Sequence, residues 1–130
     1  QEDLHPHGHA IEVRVNAEDP NNDFAPAAGT LTTVVFPGGP GIRVDTHVYG
    51  GAVVPPFYDS MLAKIIAVGR TREGAILRME RALGETRIEG VRTTVDFSRE
   101  LLATPEFRAG GVGVAWLPQF LAQRAAAVLS

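Results

Sequence analysis

Leu62-Ala63-Lys64-Ile65-Ile66-Ala67-Val68 and the segment that follows it, Thr71 to Gly84, decide the fold. The first piece is almost wholly apolar and short, so it reads as a strand buried on both faces and interrupted by Lys64. Beyond Gly69 the period changes. Ala75, Ile76, Met79, Ala82 and Leu83 recur at i, i+1, i+4, i+7 and i+8, which places one apolar stripe along a helix. Thr71 stands where an N-cap belongs and Gly84 where a helix stops. A strand passing directly into an amphipathic helix marks the border between a β half and a helical half.

Upstream of that border, Gly and Pro separate short extended pieces. Ile11, Val13 and Val15 alternate with Glu12, Arg14 and Asn16, so residues 10–16 are expected to form a half-buried strand. Ala17 to Gly29 reads as a long turn. Residues 30–36 are rich in β-branched side chains and read as a second strand. Pro37-Gly38-Gly39-Pro40-Gly41 must turn the chain. Residues 42–49 alternate again, with Ile42, Val44 and Val48 opposite Arg43, Asp45, His47 and Tyr49. Ala52 to Val54 is a short apolar piece closed by Pro55-Pro56, neither of which donates to a ladder.

Downstream, Ile88 to Val91 reads as a short extended link. A second helix is expected from Thr93 or Thr94, with Thr93 and Asp96 approximating a capping box and Val95, Leu101 and Leu102 facing the core. Thr104-Pro105 restarts a turn with Thr as cap and Pro in the first helical position. Gly110 to Gly113 reads as a loop, and a last helix is expected from Pro118 to Val128. Strands first and helices afterwards predict an α+β fold. The expected form is a small antiparallel β-rich half-barrel or sandwich from the N-terminal half, with about three helices packed from the C-terminal half. Residues 1–7 read as a tail and residues 8–130 as one domain.

The composition narrows the function classes. The 130 residues are 45% hydrophobic and 21% charged, with mean hydropathy +0.02, enough apolar matter for one core. Net charge is −3 and the only lysine is Lys64, so the clustered positive charge of a nucleic-acid footprint is missing. Zero cysteines exclude disulfides, a thiol nucleophile and thiolate metal sites. No apolar run approaches the roughly 20 residues that span a bilayer, and no leader peptide is read. No nucleic-acid or membrane partner is therefore expected, and the expected location is cytoplasmic. A first residue of Gln rather than Met suggests a piece of something longer.

His5, His7 and His9 alternate and would share a strand face, which fits either a metal site or a solvated tail. The glycine-rich turn at 38–41 lacks phosphate-loop spacing and a following Lys-Ser/Thr, so it reads as a tight turn. Asp59 and Ser60, in the Pro55 to Met61 loop, read as capping groups for loop N–H donors. The row Arg43, Asp45, His47, Tyr49 holds a planar fork donor, a carboxylate, an imidazole and a phenol. Such a row suits a polar network or anion site, or else charge pairing at a domain interface.

Four ordered blocks resemble one family. Gly8-His9-Ala10-Ile11-Glu12-Val13-Arg14-Val15-Asn16-Ala17-Glu18-Asp19-Pro20 is similar to the opening of the C-terminal domain of biotin carboxylase. Gly41-Ile42-Arg43-Val44-Asp45-Thr46-His47-Val48-Tyr49-Gly50-Gly51 and Val54-Pro55-Pro56-Phe57-Tyr58-Asp59-Ser60-Met61-Leu62-Ala63-Lys64 resemble its next blocks. Gly90-Val91-Arg92-Thr93-Thr94-Val95-Asp96 resembles a fourth. The resemblance runs over about residues 8–122, while Gln1 to Pro6 and the loop at Asn21 to Asp23 depart from it.

The resemblance implies an ATP-dependent ligase that uses Mg²⁺ and bicarbonate to carboxylate N1 of carrier-bound biotin, by way of carboxyphosphate. This is the first half-reaction of acyl-CoA, pyruvate and urea carboxylases, acetyl-CoA carboxylase of fatty acid metabolism among them. It implies partners: upstream N-terminal and ATP-grasp domains, a biotin carboxyl carrier domain, a carboxyltransferase, and a second copy in a homodimer. Most of the family's nucleotide, metal and bicarbonate ligands precede the matched region, so this chain alone is expected to bind no cofactor and to be catalytically incompetent. The one active-site residue that transfers by position is Arg43, which in the family contacts bicarbonate and the biotin ureido oxygen. Asp45 and His47 are then expected to orient it. Val68 and Arg72 match the neighbourhood of the dimer interface. A non-catalytic β-rich module binding an anion or a partner through the Arg43 face is the alternative.

Overall fold

The computed structural model describes residues 8–57 and 60–109. The first strand, β1 (His9–Asn16), is the alternating segment expected from sequence. The long turn after it is more ordered than expected. It holds two short antiparallel strands, β2 (Glu18–Asp19) and β3 (Ala25–Pro26), joined by a 3-10 turn at Pro20–Asn22. Asp19 caps that turn by accepting from the Asn21 N–H at 3.0 Å.

The β-branched run at 30–36 is divided between two partners. Its start belongs to β4 (Gly29–Thr30), which pairs with β7 (Val53–Val54). Its end is β5 (Thr33–Val35), which pairs with β9 (Arg87–Glu89). Between them Leu31 is fully buried and donates its N–H to the Ala52 carbonyl, while Thr32 donates to Glu89. Burying Leu31 turns the chain from one ribbon to the other. The expected extended link at 88–91 is thus a paired strand.

The central strand, β8 (Met61–Gly69), runs antiparallel to β1 on one side and to β6 (Ile42–Thr46) on the other. Burial on both faces was expected; Leu62, 3% exposed, meets it on the second face, but beyond Leu62 only one face is covered. Ala63, Ile65 and Ala67 are covered completely, whereas Lys64 and Ile66 are half-buried and Val68 is 45% exposed. The cover is α1 (Arg72–Glu85), whose buried residues are Ala75, Ile76, Met79, Ala82 and Leu83, the stripe read from the sequence. Thr71 accepts from the Gly74 N–H at 2.9 Å, as an N-cap should. The helix ends one residue past Gly84. There Thr86 closes it, its N–H bonded to Leu83 and its hydroxyl to Ala82 at 2.8 Å. The small side chains of Ala63 and Ala67, and Gly69 under the first turn, let the helix lie close to the sheet. A Cβ on Gly69 would stand 2.5 Å from the Ala75 nitrogen.

A second helix, α2 (Val95–Ala103), buries Val95 and Leu102. Its expected capping box does not form. Thr94 is the N-cap, yet its hydroxyl accepts from the Asn16 N–H at 3.0 Å and so ties the helix to β1. The turn at Thr104 is a short helix, α3 (Pro105–Ala109), capped as read: the Phe107 N–H donates to the Thr104 hydroxyl. The 110–113 loop, the 118–128 helix, His5, His7, Tyr58 and Asp59 lie outside the described residues.

The architecture is α+β, antiparallel throughout, and without a closed barrel among the described residues. One three-stranded sheet, ordered β1-β8-β6, is joined by three two-stranded ribbons. The principal core lies between that sheet and the helices, built on Val15, Ile65, Met79 and Leu83. A smaller core of Ala17, Leu31, Val54 and Leu62 sits under the ribbons.

Candidate functional site

The three-stranded sheet has two unlike faces because strand side chains alternate. Ile42 and Val44 of β6 point with Ile65 and Val15 toward α1. The opposite, open face carries Glu12 and Arg14 from β1, Lys64 and Ile66 from β8, and Arg43 and Asp45 from β6. Register places Arg43 beside Ile66, and Asp45 beside Lys64 with Arg14 on its far side. Lys64 Nζ stands 4.0 Å from Glu12 and Arg14 Nε 3.8 Å from the same carboxylate. Arg43 therefore stands on a charged sheet face open to its surroundings, on the side opposite Val44.

Arg43 and Asp45 form a two-pronged pair. Nε donates to Oδ1 at 3.0 Å and Nη2 to Oδ2 at 3.2 Å. A guanidinium has five N–H donors, so three remain after this pairing. The Arg43 side chain is 72% exposed, which leaves those donors facing outward. Asp45 fixes the plane of the fork, so an arriving oxyanion meets donors already oriented.

The structure does not extend this row to His47 and Tyr49. The strand expected over 42–49 ends at Thr46, whose hydroxyl donates to the Leu62 carbonyl at 2.7 Å and accepts from the Val48 N–H. A side chain bonded to the neighbouring strand's backbone takes the place of the next ladder step, and alternation stops. His47 instead lines an adjacent pocket of about 310 Å³ with Val53, Pro55, Phe57, Ser60 and Met61. Ser60, expected to accept from a loop N–H, instead donates its hydroxyl to the Phe57 carbonyl at 2.8 Å. The apolar side chains at 57 and 61 are expected from sequence to bury much of the loop, yet Phe57 is 65% and Met61 40% exposed, and with Val53 they form the pocket's apolar rim. The Pro55-Pro56 stop, which prevents pairing, is the signal that points to it.

Val68 and Arg72 are placed differently from each other. Val68 lies exposed at the end of β8. Arg72 folds back within the chain: it donates to the Arg108 carbonyl at 3.0 Å and lies 4.9 Å from the Phe107 ring centroid, a cation–π stack that holds α3. Arg108 in turn pairs with Glu80 at 2.6 Å. His9 opens β1 opposite Gly69. Among the described residues no three His, Asp or Glu side chains gather to hold a metal. No helix among them is long and apolar enough to cross a membrane.

An α+β domain that presents an anchored, outward guanidinium on the open face of its sheet is the class of protein that fold and site define. Comparison with known proteins gives the family. The family described as "Biotin carboxylase C-terminal domain" matches residues 12–119, and the chain belongs to it. It is 48% identical over 121 residues to the biotin carboxylase of Haemophilus influenzae, covering 93% of this chain and 27% of that protein. It is 46% identical over 112 residues to the biotin carboxylase of a Nostoc species, covering 86% and 25%. Among solved structures it resembles the biotin carboxylase domain dimer of Hydrogenobacter thermophilus 2-oxoglutarate carboxylase, in complex with MgADP, ADP and bicarbonate. That likeness has a TM-score of 0.85 and 39% identity, covering 92% of this chain and 26% of that one. A complete pyruvate carboxylase from Rhizobium etli is also similar, with a TM-score of 0.78 and 40% identity, covering 85% and 11%. The chain thus spans about a quarter of the length of the curated biotin carboxylases it matches.

Proposed function

We propose that this chain, residues 8–130 above all, serves as the C-terminal domain of a biotin carboxylase and supplies Arg43 to the carboxylation of carrier-bound biotin. The observation that carries the reading is the Arg43–Asp45 pair: a charge held in one plane, with donors left over, on an open sheet face. As N1 of biotin gives up its proton, negative charge grows on the ureido oxygen. Guanidinium donors aimed at that oxygen strengthen as the charge develops, and loss of one such donor typically costs about 2.7–4 kcal/mol of transition-state stabilisation. Arg43 also suits bicarbonate, a planar oxyanion that matches its fork.

ATP and Mg²⁺ belong to the proposed reaction, and the ATP-grasp domain is the expected holder of both. The 130-residue chain by itself is expected to show no bicarbonate-dependent ATP cleavage, the ATP-grasp domain being the partner that supplies it. Relatives named for pyruvate and 2-oxoglutarate share this domain, so the acceptor belongs to a separate carboxyltransferase. A homodimer contact is expected at Val68, the exposed member of the pair Val68 and Arg72. A non-catalytic anion- or partner-binding module is the less favoured reading, because the relatives at this identity are carboxylases by name.

Kinetics of Arg43→Ala in the carboxylase polypeptide that carries this domain test the proposal. Biotin carboxylation is expected to fall by about 10²–10³, and bicarbonate-dependent ATP hydrolysis without biotin to fall much less. Equal loss in both reactions, or loss in neither, overturns the role given to Arg43.

A further inference from the structure

β6 is a five-residue edge strand, and its placement decides where Arg43 points. Slipping a strand by one residue moves every side chain to the other face. Here that would turn Arg43 under α1 and expose Ile42 and Val44. Two half-buried apolar side chains are a weak hold on register, so the strand's ends matter. Thr46 pins the far end through the Leu62 carbonyl.

The near end is pinned from a helix. Arg78 of α1 donates from Nη1 to the Val68 carbonyl at 2.7 Å. The Val68 N–H donates in turn to the Gly41 carbonyl at 2.8 Å. Gly41 adopts φ +76°, a conformation that favours glycine. A Cβ there would run into the Arg78 guanidinium and stand 2.9 Å from the Val68 carbonyl oxygen. Arg78 thus lies against the one residue that precedes β6, two positions before Arg43. Among the described residues it forms no ion pair, and its Nη1 bonds a backbone carbonyl.

We propose that Arg78 is a positioning residue for Arg43: with Gly41 it locks the register of β6 and thereby the face on which the Arg43 guanidinium stands. This inference rests on the role proposed for Arg43. Arg78 is exposed, so removing it opens no core cavity. Its loss should act on the strand, not on the whole domain.

Arg78→Ala, Arg78→Lys, Arg43→Ala and the double variant Arg43→Ala/Arg78→Ala, made in the carboxylase that carries this domain, form the test. Arg78→Ala is expected to lower biotin carboxylation by about 10- to 100-fold, the scale of a misplaced group, in kcat more than in KM. ATP hydrolysis without biotin and the Tm should stay close to wild type. Arg78→Lys, which keeps one donor for the Val68 carbonyl, should recover most of the loss. The double variant should be no worse than Arg43→Ala alone, because a residue acting through Arg43 has nothing left to act on. Losses that multiply in the double variant, or an Arg78→Ala defect shared equally by both reactions and the Tm, overturn the inference. If Arg43→Ala is impaired and Arg78→Ala is not, the inference falls and the role of Arg43 stands. If Arg43→Ala carboxylates biotin normally, both fall. Should Arg78→Ala fail to fold, Arg78→Gln, with an amide donor of shorter reach, is read by the same criteria.

Discussion

Two strands of this domain carry the same local device. On β6, Arg43 pairs with Asp45 two residues later; on β9, Arg87 pairs with Glu89 two residues later, Nη2 to Oε2 at 3.0 Å. Both pairs are exposed and both follow strand alternation. The difference is in what surrounds them. Arg43 is gripped by two prongs, belongs to the three-stranded sheet, and has cationic neighbours on the same face. Arg87 makes one bond to its carboxylate and sits on a two-stranded ribbon with β5. An arginine-carboxylate pair is therefore not a site by itself. Exposed pairs of this kind contribute little to stability, and what distinguishes the two here is the bidentate grip on Arg43 and its place on the charged open face of the three-stranded sheet.

The comparison breaks most sharply on the arginines. Arg43→Ala should cost about 10²–10³ in biotin carboxylation. Arg87→Ala, assayed in parallel, should leave the rate within about twofold, as surface changes usually do. Similar losses in both would erase the distinction between the two strands. The carboxylates give an intermediate test. Asp45→Asn keeps size but weakens the grip on the fork, and about a tenfold loss of carboxylation is expected. Asp45→Glu converts the β6 pair into the Arg-x-Glu form of β9. A smaller loss, with kcat restored relative to Asp45→Asn, would show that charge matters more than reach.

The smallest effect is one of pH. The Arg87 side chain, bonding to Glu89 and adding its charge, holds that carboxyl below the usual glutamate range, with Thr33 contributing a further hydrogen bond. A carboxyl whose folded pKa is depressed stabilises the fold above its unfolded pKa and loses that contribution as pH falls through the folded value. Glu89→Gln should therefore lower the Tm slightly at neutral pH, where the charged carboxylate contributes, and converge with wild type at acid pH, so that the acid limb of a Tm-against-pH curve is slightly flatter. An unaltered acid limb would show that solvent already screens the pair.

Much of this was legible in the residues. The α1 stripe, its Thr71 cap, the Thr104-Pro105 start of α3 and the alternation of β1 are local consequences of spacing and side-chain chemistry, and the structure holds each of them. The Arg43–Asp45 pairing was legible for the same reason, since i and i+2 share a face. Other features were not. The division of 30–36 between β4 and β5 depends on burying Leu31 between ribbons that come from distant parts of the chain. Thr94 abandons its own helix end for the backbone of β1, 78 residues away. His47 leaves the Arg43 row because Thr46 finds the Leu62 carbonyl.

Sequence by itself determined the antiparallel α+β order, the helix that covers the sheet, and the family, through four blocks whose side chains and glycines are fixed by local geometry. Tertiary structure decided which face of β8 is open, where β6 stops, and that Arg78 from a helix sets the register of a strand it does not belong to. Period and caps are written within a few residues, whereas burial and long-range hydrogen bonds exist only once distant segments have met.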